Sequence, residues 1–178
     1  MFPCLSILTI ILCPKIVLPH LPSLKNFYVK GCNNELLRSI SNLCSLTYLT
    51  LVSGGEGITS FPEGMFKNLT FLQTLIIFNF SKLKEFPNEP FNLALECLYI
   101  IECDELESLP EQIWESLQSL QILFFRKCKG LQSFPECIRH LTSLEVLSIK
   151  DCPTLVERCK EGTGEDWDKI AHIPKLEI

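Results

Sequence analysis

The chain has 178 residues, enough for one domain, with a net charge of −5 and a pI near 5.3. A mildly acidic chain without a basic run argues against nucleic acid as its main partner. Charges are mixed along the sequence, with no acidic tail, which suits simple solubility.

The N-terminal stretch 1–20, with Leu5, Ile7, Leu8, Ile10, Ile11 and Leu12, looks at first like a signal-peptide core. A signal peptide should open with a positive region and end at small residues. No charge precedes Lys15, and Pro3, Pro14 and Pro19 interrupt the run. It is also too short and broken for a membrane span. Leu5, Leu8, Ile10 and Cys13 instead match a phrase, Leu-x-x-Leu-x-Leu-x-x-Cys, that recurs along the whole chain. Its first leucines are Leu5, Leu24, Leu46, Leu72, Leu95, Leu120 and Leu144, spaced by 19 to 26 residues. That is the period of leucine-rich repeats and lies below that of helical-pair arrays.

The second and third positions are Leu8 and Ile10, Phe27 and Val29, Leu49 and Leu51, Leu75 and Ile77, Leu98 and Ile100, Leu123 and Phe125, Leu147 and Ile149. They alternate with outward residues, the period of a half-buried strand, so each repeat is expected to give one short strand in a parallel stack. Three residues further come Cys13, Cys32, Gly54, Phe80, Cys103, Cys128 and Cys152. A turn leaving a strand needs a small buried group, and a free Cys packs as a small hydrophobe with weak hydrogen-bonding ability. Phe80 suggests a local aromatic spine, and Gly54-Gly55-Glu56-Gly57 a loop in the longest repeat. The return side carries Phe61-Pro62, Phe86-Pro87, Leu109-Pro110 and Phe134-Pro135. Recurrent Pro disfavours long helix, so Met65, Phe66, Ile113, Trp114 and Ile138 should pack beneath short helical turns.

The expected architecture is an α/β solenoid. It is a leucine-rich-repeat horseshoe of about seven repeats, with a parallel concave β-sheet and a mostly irregular or short-helical convex side. Residues 1–158 form the repeat domain, and 159–178 a C-terminal capping tail with a short helix. In that tail Thr163, with Asp166 three residues on, resembles an N-terminal cap. Trp167, Ile170 and Ala171 fall on one helical face before Pro174 stops the run. At the other end, residue 1 precedes the first ladder leucine by only four positions. A bare first repeat is expected there, belonging to a larger protein or to an incomplete gene product.

Catalytic chemistry finds no constellation. His20, His140 and His172 lie far apart in a one-dimensional stack, and Cys137 near His140 lacks an orienting third group. Cys152, Cys159 and His172 match no compact zinc module, and no metal or cofactor is expected. The glycine-rich insertion lacks the Gly-Lys-Ser/Thr of a phosphate loop. Five of the ten cysteines share one repeat position, so they read as reduced, cytosolic thiols rather than a disulfide framework. The sequons Asn68-Leu69-Thr70 and Asn79-Phe80-Ser81 matter only in a secreted chain.

The repeat phrase with Leu-Pro returns resembles the C-terminal region of plant coiled-coil nucleotide-binding leucine-rich-repeat resistance proteins. The ending is the more specific part of the match. It reads Cys152-Pro153-x-Leu155-x-x-Arg158-Cys159, then Gly164-Glu165-Asp166-Trp167-x-Lys169-Ile170-Ala171-His172-Ile173-Pro174. The resemblance implies a cytoplasmic role in defence, with the repeats sensing a pathogen effector and restraining a nucleotide-binding switch domain. Nothing in the chain resembles the nucleotide-binding or coiled-coil signalling domains, so exchange and signalling do not carry over to it.

Binding is expected on the concave face. Its central row is Thr9, Tyr28, Thr50, Ile76, Tyr99, Phe124 and Ser148; the next is Ile11, Lys30, Val52, Phe78, Ile101, Arg126 and Lys150. Tyr28, Tyr48, Ile76, Phe78, Tyr99, Ile101, Phe124 and Arg126 are the candidate protein-binding residues, since an exposed apolar patch edged by Arg suits an interface. The function expected is a non-catalytic protein-interaction module of plant immunity. Alternatives are a substrate-recognition adaptor of a ubiquitin ligase, which would need an adjoining box-type helical motif, and a secreted repeat binding protein. The partner expected is protein, with no nucleic acid and no membrane.

Overall fold

The computed structural model describes residues 4–13, 15–55, 57–91 and 94–178. Pro3, Pro14 and Glu56 lie outside them. Seven strands fall on the repeat phrase: β1 (Ile7–Ile11), β2 (Asn26–Lys30), β3 (Tyr48–Val52), β4 (Thr74–Phe78), β5 (Cys97–Ile101), β6 (Ile122–Arg126) and β7 (Val146–Lys150). An eighth, β8 (Lys175–Glu177), follows in the tail. All pair in parallel in one sheet, in chain order.

The register follows from the ladder. Leu49, Leu75, Leu98 and Leu123 stand opposite one another on successive strands, as do Leu51, Ile77, Ile100 and Phe125. These side chains are fully buried. A one-residue slip would turn every one of them to solvent, so burial holds the register. Each such side chain contributes about 1.5–3 kcal/mol, which makes the ladder the dominant stabilising element. A solenoid has no central core, so each layer is buried only by its neighbours. At the sheet edge, β1 leaves Ile7 63%, Ile11 54% and Leu12 58% exposed.

The convex side is short-helical and irregular. It carries α1 (Asn34–Ile40), α2 (Glu111–Ser116) and a 3-10 turn (Glu136–His140). The second repeat holds a helix that sequence reading missed. The Leu36 N–H donates to Asn33 Oδ1 at 2.7 Å, capping α1, and Leu36, Leu37 and Ile40 face inward. Met65, Phe66, Ile113, Trp114 and Ile138 are buried under short turns as expected. Phe80 joins a spine in which Phe61 meets Phe80 at 5.4 Å and Phe86 at 5.2 Å, and Phe66 meets Phe91 at 4.7 Å between ring centroids. An aromatic therefore replaces the turn cysteine where the convex layer is itself aromatic.

The turn cysteines bond back to the strand they leave. Cys103 Sγ donates to Ile101 O at 3.6 Å, Cys128 Sγ to Arg126 O at 3.4 Å, and Cys152 Sγ to Lys150 O at 3.3 Å. The Cys128 N–H in turn donates to Cys152 Sγ, linking adjacent repeats. Hydrogen bonding to Cys103, with burial, pushes the Cys128 thiol up to about 12. It remains a thiol at any ordinary pH, inert as a nucleophile. Cys13 departs from its four equivalents: it is exposed, and among the described residues no strand pairs with the outer edge of β1.

The tail differs from its expected form in three ways. Its helix α4 (Trp167–Ile170) begins at Asp166, not Thr163, and Asp166 makes no capping bond within it. Instead the carboxylate is fully buried. It accepts the Phe134 N–H at 2.9 Å and two hydrogen bonds from Arg158, and it pairs with Lys169 at 2.9 Å. Lys169 Nζ also donates to the Phe134 carbonyl at 2.7 Å. Two side chains thus satisfy the main chain of the last convex turn. Trp167 is half-buried against the core and Ile170 fully buried, but Ala171 is exposed. The tail then adds β8. Between β7 and α4, α3 (Pro153–Arg158) places Leu155 and Cys159 inside.

Candidate protein-binding face

The ladder dictates which strand residues face outward, and the parallel register sets them in rows. Thr9, Tyr28, Thr50, Ile76, Tyr99, Phe124, Ser148 and Glu177 stand opposite one another in turn. The next row is Ile11, Lys30, Val52, Phe78, Ile101, Arg126 and Lys150. Ile76, Tyr99 and Phe124 are thus side by side, and the Tyr99 and Phe124 rings lie 5.7 Å apart, tilted by 45°. Phe78 and Ile101 adjoin them, with Arg126 at the end. The five apolar members are half-buried, shielding one another, while Arg126 is exposed. Burial and the nearby Cys97 push the Tyr99 hydroxyl up.

Not every outward position is accessible. Thr50, Val52 and Ser148 are buried. Each is a small side chain between larger row neighbours: Tyr28 and Ile76, Lys30 and Phe78, Phe124 and Glu177. The small Thr50 and Val52 on β3 divide the face. Tyr28 on β2 and Tyr48 at the start of β3, 36% and 40% exposed, line a depression of about 390 Å³ with Ile7, Asn26 and Thr50. Tyr48 pairs with Asn26 and Thr74, so it belongs to a third row and is not aligned with Tyr28.

Sequence reading missed Glu177, which ends the central row because β8 was not foreseen. Its carboxylate accepts from Ser148 Oγ at 3.1 Å and Lys150 Nζ at 3.1 Å, and pairs with Lys175 at 2.6 Å. Those partners, Lys175 first, hold it at about 2. Lys150 Nζ also lies 5.9 Å from the Phe124 ring centroid, within cation–π range. The only available signal for β8 was the short alternation of Lys175, Leu176 and Glu177 after Pro174.

The fold and the face define a leucine-rich-repeat solenoid with an open apolar and basic sheet. Among the described residues, no group of three or more His, Cys, Asp or Glu is placed to hold a metal, and no helix is long and apolar enough to cross a membrane. The family model for a leucine-rich repeat region matches residues 6–178, and the chain belongs to that family. It is 46% identical over 99% of its length to RGA4 of Solanum bulbocastanum, assigned as a disease resistance protein. It is 45% identical over 88% of its length to disease resistance protein RGA2 of the same plant, and 35% identical over 68% to disease resistance protein RPS4B of Arabidopsis thaliana. The chain spans only 18%, 16% and 10% of those relatives. Among solved structures it is similar to an internalin of Listeria monocytogenes, at 18% identity and a TM-score of 0.38, over 89% of this chain and 48% of that one.

Proposed function

We infer that the chain is a non-catalytic protein-interaction module of plant defence, binding through the open face of its sheet. The reading is carried by the contiguous Ile76, Tyr99 and Phe124 row beside Phe78, Ile101 and Arg126. Aromatic residues and Arg are the usual anchors of interfaces, and an apolar patch of this kind without a partner is uncommon on a soluble surface. The partner is a pathogen effector or a nucleotide-binding switch domain, and the compartment is the cytoplasm. Ten free thiols, four of them buried in the repeat turns, support a reducing environment. Residues 159–178 act as the cap of a repeat domain over 1–158.

The test is a chimera in which this chain replaces the matching segment of RGA4, expressed in leaves. Tyr99→Ala with Phe124→Ala leaves the protein at normal abundance, because both side chains lie outside the ladder. Loss of restraint appears as cell death without pathogen, and loss of recognition as silence on challenge. A double variant that behaves like its parent in both assays sinks the assignment of this face.

A further inference from the structure

The open face is electrically unlike the rest of the molecule. Of 16 Lys and Arg and 21 Asp and Glu in the chain, its outward strand positions hold four cations, Lys30, Arg126, Lys150 and Lys175, and one carboxylate, Glu177. A chain of net charge −5 therefore presents a cationic sheet, and the whole acid excess lies on its turns and convex side. Three of the four cations sit on β6 to β8, against the aromatic row. Arg126 is loosely held, with Asp151 at 3.9 Å and half of its side chain in solvent. Glu102, at the same rim, is already paired with Lys127 at 2.9 Å.

Glu177 shows what this surface does with a carboxylate. It receives the Ser148 hydroxyl and the Lys150 and Lys175 ammonium groups at the end of the central row, with Ser148 between it and Phe124. Two strands nearer the centre, the same row offers aromatic carbon and the next row offers Arg126, with no carboxylate at an outward position. Resting on the reading of this face as the binding surface, we propose that its occupant is an acidic segment of a partner protein. An apolar side chain of that segment lies on Tyr99, Phe124 and Ile101, and a neighbouring carboxylate pairs with Arg126 and Lys150. A nucleic acid fits less well. A long polyanion would run past the patch onto Glu96 and Glu145 at one end of the strands and Glu102 and Asp151 at the other.

The experiment titrates two twelve-residue peptides of equal leucine content, one with four glutamates and one with four lysines, into the ¹⁵N-labelled full chain. The acidic peptide should bind about tenfold more tightly, weaken with added salt, and shift amides of β4 to β7. Arg126→Glu with Lys150→Glu, both exposed, should reverse the preference, and Glu177→Gln should tighten the acidic peptide by freeing Lys150 and Lys175. Equal binding of the two peptides, indifference to charge reversal, or no binding of the acidic peptide each overturns the proposal. Equal binding that still weakens in the Tyr99→Ala, Phe124→Ala variant would leave the face a binding surface without its charge selectivity. Shifts confined to other surfaces would remove the face itself. An oligothymidine binding as tightly as the acidic peptide, or a dimer of the chain alone abolished by Arg126→Glu, would assign the face to another occupant and equally overturn the proposal.

Discussion

The residue that follows each strand carries much of the regularity of this solenoid. Leu12, Gly31, Asn79, Glu102, Lys127 and Asp151 all have positive φ, between 52° and 82°. The N–H of each of the first five donates to the last carbonyl of the next strand, as Leu12 does to Lys30 O at 2.7 Å and Lys127 to Lys150 O at 2.9 Å. The left-handed conformation costs a residue with a Cβ about 1–2 kcal/mol, against about 0.5–1 kcal/mol of extra chain entropy for Gly. Leu12→Gly, at an exposed side chain, should therefore stabilise the fold by about 0.5 kcal/mol, and Gly31→Ala should destabilise it by about 1 kcal/mol. Urea midpoints of the two variants moving in the same direction would refute the argument. Gly31, Asn79 and Asp151 are residues at ease with positive φ, so half of this pattern was readable in the sequence. Leu12, Glu102 and Lys127 gave no sign, because the turn off the strand, not local preference, sets their backbone.

At the scale of elements, the strands were legible and the tail was only partly so. Period-2 alternation names the strands and their register, since one face must be buried in every repeat. Leu98 shows the strength of that signal: it is fully buried between Leu75 and Leu123. Leu98→Ala should cost about 3 kcal/mol, and Leu98→Asp, which buries an unpaired charge, should leave no folded protein by circular dichroism. The helix α4 was foreseen, but local cap logic assigned Thr163 and Asp166 to it. A long-range demand won instead: the Phe134 N–H needs an acceptor, and Asp166 supplies it. Burial raises this carboxyl's affinity for a proton, but Arg158, Phe134 and Lys169 together outweigh that and hold it below the usual range. Asp166→Ala should cost about 3 kcal/mol, since it leaves the buried Phe134 N–H unmatched and takes a shared partner from half-buried Arg158 and Lys169. A loss no larger than that of an exposed alanine substitution, such as Asp168→Ala, would show that the tail is held by apolar packing alone.

For the whole molecule, stability is a sum of neighbour terms, so its ends should open before its middle. The C-terminal end is fastened by charge: Asp166 under the last convex turn and Glu177 on the open face, with Trp167 and Leu176 packed between. Glu177 has a usual value of 4.5 and is held at about 2 by Lys175, Lys150 and Ser148. A carboxylate lowered by folding contributes stability that is complete above its unfolded value and is lost as pH falls through its folded one. The contribution of Glu177 should therefore be constant from neutrality to about 4.5 and vanish by about 2. Hydrogen exchange should show β8 losing protection across that window while β4 and β5, ladder-bound on both sides, remain protected. Glu177→Gln carries no such titration. In that variant the loss of β8 protection between 4.5 and 2 should shrink to what Asp166 alone imposes, and a variant that still loses β8 as its parent does would assign the acid response of this end wholly to the buried latch.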